Sequence, residues 1–216
     1  PDDTPDSHAA RLHPKERKGS AEGIASALLE PGLLAFCACA AVFFFANTAM
    51  LTLGANEITK RAGGAANLFV AAAIIVPQIV VALLSPWVGR AADRSGRRPL
   101  LMLAFAVLPV RALIFAVVSS PAVVAMAQAL DGISGAVFGV MVPLVAADVS
   151  RRNGRLTLSM GAIMLAISLG ASLSTTVAGA IADRLGISAA LLILALAGLA
   201  AFGMLALIMP ETAPRR

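Results

Sequence analysis

Two charged residues, Arg111 and Asp131, lie inside long apolar runs, and each stands ten residues from Pro121. Pro121, with Ser119 and Ser120 before it, marks a turn between antiparallel helices, so both charges fall at one depth, about 15 Å below the turn. A lone charge there costs at least about 3 kcal/mol, which predicts a pair. Such a pair has two uses. It can fix the packing of its helices, or Asp131 can exchange a proton or meet a cationic substrate while Arg111 tunes its acidity. Neutral polar residues in the apolar runs extend the set of substrate or coupling candidates. Gln128, Asp131, Gly135 and Phe138 fall on one helical stripe, and Gly161, Ser168, Ser172 and Thr175 on another. Asn47 with Thr48, and Gln78 beside Pro77, complete the set. Polar groups at that depth face a protein interior or a water path. Many only hold helices together, and Gly135-x-x-x-Gly139 reads as a close-packing motif.

A second constellation lies outside the apolar runs. Gly89-Arg90-Ala91-Ala92-Asp93-Arg94-Ser95-Gly96-Arg97-Arg98 is a short loop with four arginines, one aspartate and two glycines. Several arginines are costly to move across a bilayer, so such loops stay cytoplasmic. The glycines let the backbone turn sharply between helices.

Six apolar runs position these residues, near Leu33–Leu53, Leu68–Val88, Pro99–Val118, Ala122–Ala147, Leu156–Ala182 and Ile187–Met209. Each has about 20 residues or more, enough to cross a hydrocarbon core of about 30 Å. With the first polar segment inside, thirteen Lys and Arg fall on the cytoplasmic side and three (Lys60, Arg61, Arg184) outside. That asymmetry predicts cytoplasmic termini and a bacterial-type inner (plasma) membrane protein. Pro77, Pro109 and Pro143 are expected to bend their helices.

Composition agrees. Hydrophobic residues make up 59% of the chain and charged ones 13%, against roughly a quarter charged in soluble domains. The net charge of +5 lies in loops between spans, so it sets orientation and implies no nucleic-acid partner. Residues 1–30 are polar, without apolar period, and read as a disordered cytoplasmic linker; residues 210–216 form a cytoplasmic tail. His8 and His13 fall in the linker, and Cys37 and Cys39 point different ways on the first helix. None assembles a metal site, and no cofactor is expected. The chain begins at Pro1 rather than Met, which predicts that a natural start precedes it.

The loop pattern G-x-x-x-D-R-x-G-R-R resembles the signature of the major facilitator superfamily of secondary transporters. Leu130-Asp131-Gly132 and the ending Pro210-Glu211-Thr212 carry the same resemblance. An internal repeat supports it: Gly89 to Gly96 and Gly179 to Gly186, ninety residues apart, both fit G-x-x-A-D-R-x-G. With three spans per unit the second unit is inverted, as in transporter halves. The expected fold is all-α, six transmembrane helices as two inverted three-helix repeats, half of a twelve-helix major facilitator fold. The long polar lead resembles the central loop between halves. Gln128 stands where first halves often carry arginine, and Gly170-Ala171-Ser172-Leu173-Ser174 lacks their Gly-Pro signature, so the resemblance is to the carboxy-terminal half.

The resemblance also implies a cytoplasmic gate of Gly89, Asp93, Arg94, Gly96, Arg97, Arg98 and Asp148. Asp93 would face the first turn of the fifth helix near Leu156, whose free N–H groups favour an anion. Arg97 would pair with Asp148 at the aqueous boundary, a contact worth about 1 kcal/mol or less. The plainer alternative is that these arginines only set topology. Taken together, the expectation is a secondary active transporter of a small solute, coupled to protons, working by alternating access against a missing first half amid membrane lipids. A noncatalytic membrane module that binds a partner is the alternative. A six-helix membrane enzyme would need a nucleophile with a base or paired acids in the spans, and the spans hold no His and one acid.

Overall fold

The computed structural model describes residues 21–118, 120–151 and 154–212. Nearly all of them are helical. The order is α1 (Ala21–Leu28), α2 (Pro31–Ala62), a 3-10 turn (Gly63–Ala65), α3 (Ala66–Ser95), α4 (Arg98–Val117), a short α5 (Pro121–Ala127), α6 (Ala129–Ser150), α7 (Leu156–Leu185) and α8 (Ile187–Ile208).

Among the described residues five helical stretches are long and apolar enough to cross a membrane, namely Pro31–Ser95, Arg98–Val117, Pro121–Ser150, Leu156–Leu185 and Ile187–Ile208. The first runs through 65 residues, far more than the roughly 20 that one crossing needs. Gly63 breaks it: at φ 52° this residue ends α2, and α3 then packs on α2. The start of α2 is fixed by local chemistry. Glu30 Oε2 accepts from Leu33 N–H at 2.8 Å, and Pro31 sits in the first turn, where its missing donor costs nothing.

Three boundaries differ from the sequence expectation, the first at the basic segment, where Gly89–Ser95 is not loop but the end of α3, leaving only Gly96 and Arg97 as the turn into α4. The run 122–147 is not one helix, because it is interrupted at Gln128, whose N–H bonds back only three residues to Ala125 O at 3.3 Å. In the polar lead, Ala21–Leu28 is helical and packs on α7, with Ala27 buried. Three alanines and a leucine give this segment helix propensity that the composition of the whole lead conceals. Residues 1–20, with His8 and His13, and Ser119 lie outside the described residues.

The helices pair in a regular way. α2 packs most closely on α7, α4 on α8, and α3 on α6. Two of these crossings close on glycine. A Cβ on Gly170 of α7 would sit 2.9 Å from the carbonyl carbon of Ala41 in α2, and one on Gly132 of α6 would sit 2.6 Å from Pro77 O in α3. Backbones that close exclude any side chain at the contact, which is how helices gain van der Waals contact where lipid is as apolar as leucine. Of the expected Gly135-x-x-x-Gly139 motif, Gly135 lies at the same crossing as Gly132, where a Cβ would sit 3.0 Å from Val81 Cγ2 of α3, whereas Gly139 has nothing within 4 Å.

The centre of the bundle is aromatic. Phe43 and Phe44 of α2 and Phe105 of α4 meet Phe138 of α6, with ring centroids 4.5, 5.1 and 5.8 Å away, and Phe36 joins them at 6.5 Å. Small polar side chains tie the same helices. Ser134 Oγ donates to Ala104 O at 3.0 Å, and Ser174 Oγ accepts from Ala49 N–H at 3.0 Å.

Candidate functional site

Arg97 is the centre of the basic loop. It stands between the end of α3 and the start of α4 and is buried, at 6% exposure. Its Nε donates to Asp148 Oδ2 at 3.0 Å and its Nη1 to Ala92 O at 2.7 Å. Asp93 Oδ1 lies 3.6 Å from the same guanidinium, and the Asp93 side chain is 67% exposed. Asp148 is near the end of α6, with 3% of its side chain exposed, and Arg151 approaches its other oxygen at 3.5 Å. The contact was expected at an aqueous boundary and weak. It is in fact dry on both sides. The figure for exposed pairs does not apply; removing either partner would leave the other buried with only its longer contact, Asp93 for Arg97 or Arg151 for Asp148.

A third strand of chain closes over this junction. Glu211, just past α8, accepts from Arg97 N–H at 2.9 Å and from Arg98 N–H at 3.2 Å. Those are free donors of the first turn of α4, where a carboxylate also meets the favourable end of the helix dipole. Arg98 Nη2 donates in turn to Ala206 O at 2.6 Å, near the end of α8. The approach requires Gly96, which adopts φ 88° and where a Cβ would meet Glu211 Oε2 at 2.6 Å. Beside the junction a cleft of about 360 Å³ is lined by Glu30, Asp148, Val149, Glu211 and Thr212. Gly89 has open space around it, and Arg90 and Arg94 point outward.

At membrane depth, Arg111 of α4 is 1% exposed and its Nη1 donates to Asp131 Oδ1 of α6. Its Nη2 donates to Asn47 O of α2 at 3.2 Å, and the guanidinium carbon lies 5.7 Å from the centre of the Phe115 ring. The pair is lopsided: Asp131 keeps 29% of its side chain exposed while Arg111 is sealed. Buried polar atoms left without a partner gather on these elements, Arg111 Nε, Asn47 Oδ1 and Gln128 Oε1 among them.

The other candidates scatter. Phe138, expected on a cavity stripe, belongs to the aromatic core, because its ring fills the space between α2 and α4. Gln128, on the same stripe, is 1% exposed. Gln78 of α3 and Ser168 and Ser172 of α7 are exposed on the outside of the bundle.

A family profile described as the Major Facilitator Superfamily matches residues 32–216. The chain belongs to that superfamily. Two curated relatives, each named an MFS-type transporter and both from Mycobacterium tuberculosis (strains CDC 1551 / Oshkosh and ATCC 25618 / H37Rv), are 36% identical over 181 residues, or 83% of this chain. The chain spans 43% of their length. As a major facilitator protein it is an integral membrane protein of a transporter family, whose helices are the spans counted above. Sequence reasoning missed what Glu211 does in this major facilitator chain. The signal was present: an acid directly after a proline that ends the last apolar run. Glu30 was missed too, and its cue is the reverse one, an acid directly before a proline that opens the first apolar run.

Proposed function

We propose that this chain is one half of a secondary active transporter that carries a small solute, coupled to protons, by alternating access. In this reading α2 and α3 are separate crossings, giving six, the termini and the Arg97 junction are cytoplasmic, and a first six-helix half supplies the opposite wall of the cavity. The similarity to the carboxy-terminal half rests on the sequence features given above.

Support for two inverted three-helix units comes from the ninety-residue offset. Helices α3 and α7 each have 30 residues, and both end on a glycine at nearly the same φ, 88° at Gly96 and 89° at Gly186. The close crossings obey the same offset. Adding ninety to Val80 gives 170, and adding ninety to Ala41 gives 131, beside Gly132; Gly170 meets Ala41, and Gly132 meets Val80. The two contacts exchange roles as inverted repeats require.

The observation that carries the transport reading is the buried Arg97–Asp148 bond, which joins the signature loop to the end of α6. A loop that only set topology would need its arginines near the surface, not one of them sealed against an acid of another helix. Asp93, Gly89, Arg94, Gly96, Arg98 and Glu211 support that lock, and Asp131, the more accessible partner of Arg111, is the acid that exchanges protons. Gln78, Ser168 and Ser172 remain candidates for the substrate path on faces the first half would meet, and Asn47 and the buried Gln128 remain candidates nearer the Arg111–Asp131 pair. In the full transporter, Asp148→Asn should raise the labelling of cysteines placed around the cytoplasmic mouth several-fold and slow transport. Unchanged labelling and transport would reduce the loop to a topology signal.

A further inference from the structure

The end of α3 carries a groove whose lining includes neither Arg97 nor Asp148. It encloses about 490 Å³ and is lined by Trp87, Arg90, Ala91, Arg94 and Ser95. Trp87 is 54% exposed, Arg90 and Arg94 are exposed, and neither arginine is ion-paired among the described residues. Arg61, Arg97, Arg111 and Arg151, by contrast, each face an acid. Asp93, the nearest acid in sequence, is turned toward Arg97.

Depth and direction restrict what can fill the groove. From Ala66 to Trp87 the helix rises about 32 Å, the thickness of a hydrocarbon core, which puts Trp87 at its far boundary. Arg90 and Arg94 follow about 5 and 10 Å further on, within the headgroup layer. Leu83 (72% exposed), Trp87, Arg90 and Arg94 recur at helical spacing and share one face, which Ile79 at 53% extends toward the membrane centre. Apolar chain, aromatic belt and paired cations thus follow one another along one stripe, in the order of a lipid's tail, glycerol region and phosphate.

We propose that this groove binds an anionic phospholipid, its phosphate held by Arg90 and Arg94 with the Ser95 hydroxyl beside them and its acyl chain laid along Trp87 and Leu83. Guanidinium pairs hold phosphate oxygens through paired N–H donors. The lining of the groove offers no carboxylate to a headgroup cation, so the site selects phosphatidylglycerol-like lipids over phosphatidylcholine. A soluble phosphate would leave the apolar part of the stripe unexplained. Only the choice of the cytoplasmic leaflet rests on the orientation proposed above.

The test uses Trp87, the one tryptophan of this chain. The natural full chain, with any further tryptophan changed to phenylalanine, is reconstituted in bilayers containing acyl-brominated phosphatidylglycerol or phosphatidylcholine. Contact with a brominated chain quenches Trp87, whether or not the protein transports and whichever way it is inserted. We expect phosphatidylglycerol to be favoured about thirtyfold in apparent affinity, from roughly 1 kcal/mol for each of the two cations at the surface. Arg90→Gln with Arg94→Gln should bring that ratio close to one while leaving quenching by phosphatidylcholine unchanged, and Arg90→Lys with Arg94→Lys should keep most of it. Equal quenching by both lipids, or selectivity that survives the glutamine pair, would overturn the proposal. So would the absence of any quenching, which would mean that protein covers the face. Loss of selectivity on adding inorganic phosphate at constant ionic strength would assign the site to a soluble anion instead.

Discussion

Arg111 illustrates how a guanidinium is kept at membrane depth: Asp131 takes one donor, the Asn47 carbonyl another, and Phe115 offers its ring nearby. Replacing Asp131 by Asn would leave the charge sealed and unpaired, at a cost of about 3 kcal/mol. The double change Arg111→Met with Asp131→Leu should recover most of that loss, read as the unfolding midpoint in detergent. Transport separates the two uses of the pair. If Asp131 carries protons, the double variant is stable but cannot accumulate solute against a gradient. If the pair is only structural, accumulation returns with stability. Full stability of Asp131→Asn would show that the carboxylate is dispensable to Arg111 and would remove both readings.

Among the helices, closeness of approach decides what a substitution costs. Gly170 lies against the backbone of Ala41, which cannot move aside as a flexible side chain would. Gly170→Val should therefore force α2 and α7 apart and lower stability by several kcal/mol, on the order of overpacking at its upper end. Gly139→Ala, with nothing near its Cβ, should change stability by less than about 0.5 kcal/mol or raise it slightly, since alanine is the better helix former. Thermal unfolding of the two variants side by side checks the contrast. The difference also marks where the sequence was legible. Apolar runs and the basic loop were readable because length and charge alone decide whether a segment enters a bilayer. The partner of Arg111 followed from charges that must meet at one depth, whereas that of Arg97 came from the family resemblance alone. Helical period says which residues share a face but not which face meets which helix. For that reason Phe138 seemed to belong with Asp131, and Gly139 with Gly135, when Gly132 and Gly135 close on α3 and Gly170 on α2. The turn at Gln128 and the helix at Ala21–Leu28 arise from local bonding and neighbour packing that no run of hydropathy encodes.

The whole bundle presents two very different kinds of surface. Of its most apolar windows, that in Pro31–Ser95 is only 11% buried and that in Leu156–Leu185 only 17%, against 50% for Arg98–Val117. Faces so open, on α3 and α7 alike, can meet lipid or another bundle. In the proposed transporter, part of each closes against the first half, and one wall alone cannot enclose a solute or rock against anything. The chain by itself in liposomes should therefore pass no solute above the lipid background. Flux from the lone chain at the rate of the longer protein would overturn the half-transporter reading while leaving the family untouched.

Glu211 reaches its partners on α4 across 114 and 113 residues of sequence. A ribosome delivers α4 to the bilayer long before it has made the acid that caps it. During that interval the first turn of α4 keeps two open donors, and the carboxylate of Asp148 does not yet exist either. Three later arrivals, α6, α8 and then Glu211, must dock before the loop is sealed. The loop that carries the family signature is thus made before α6 and α8 and finished only after them, so its closure records, in one place, that the helices following it have arrived.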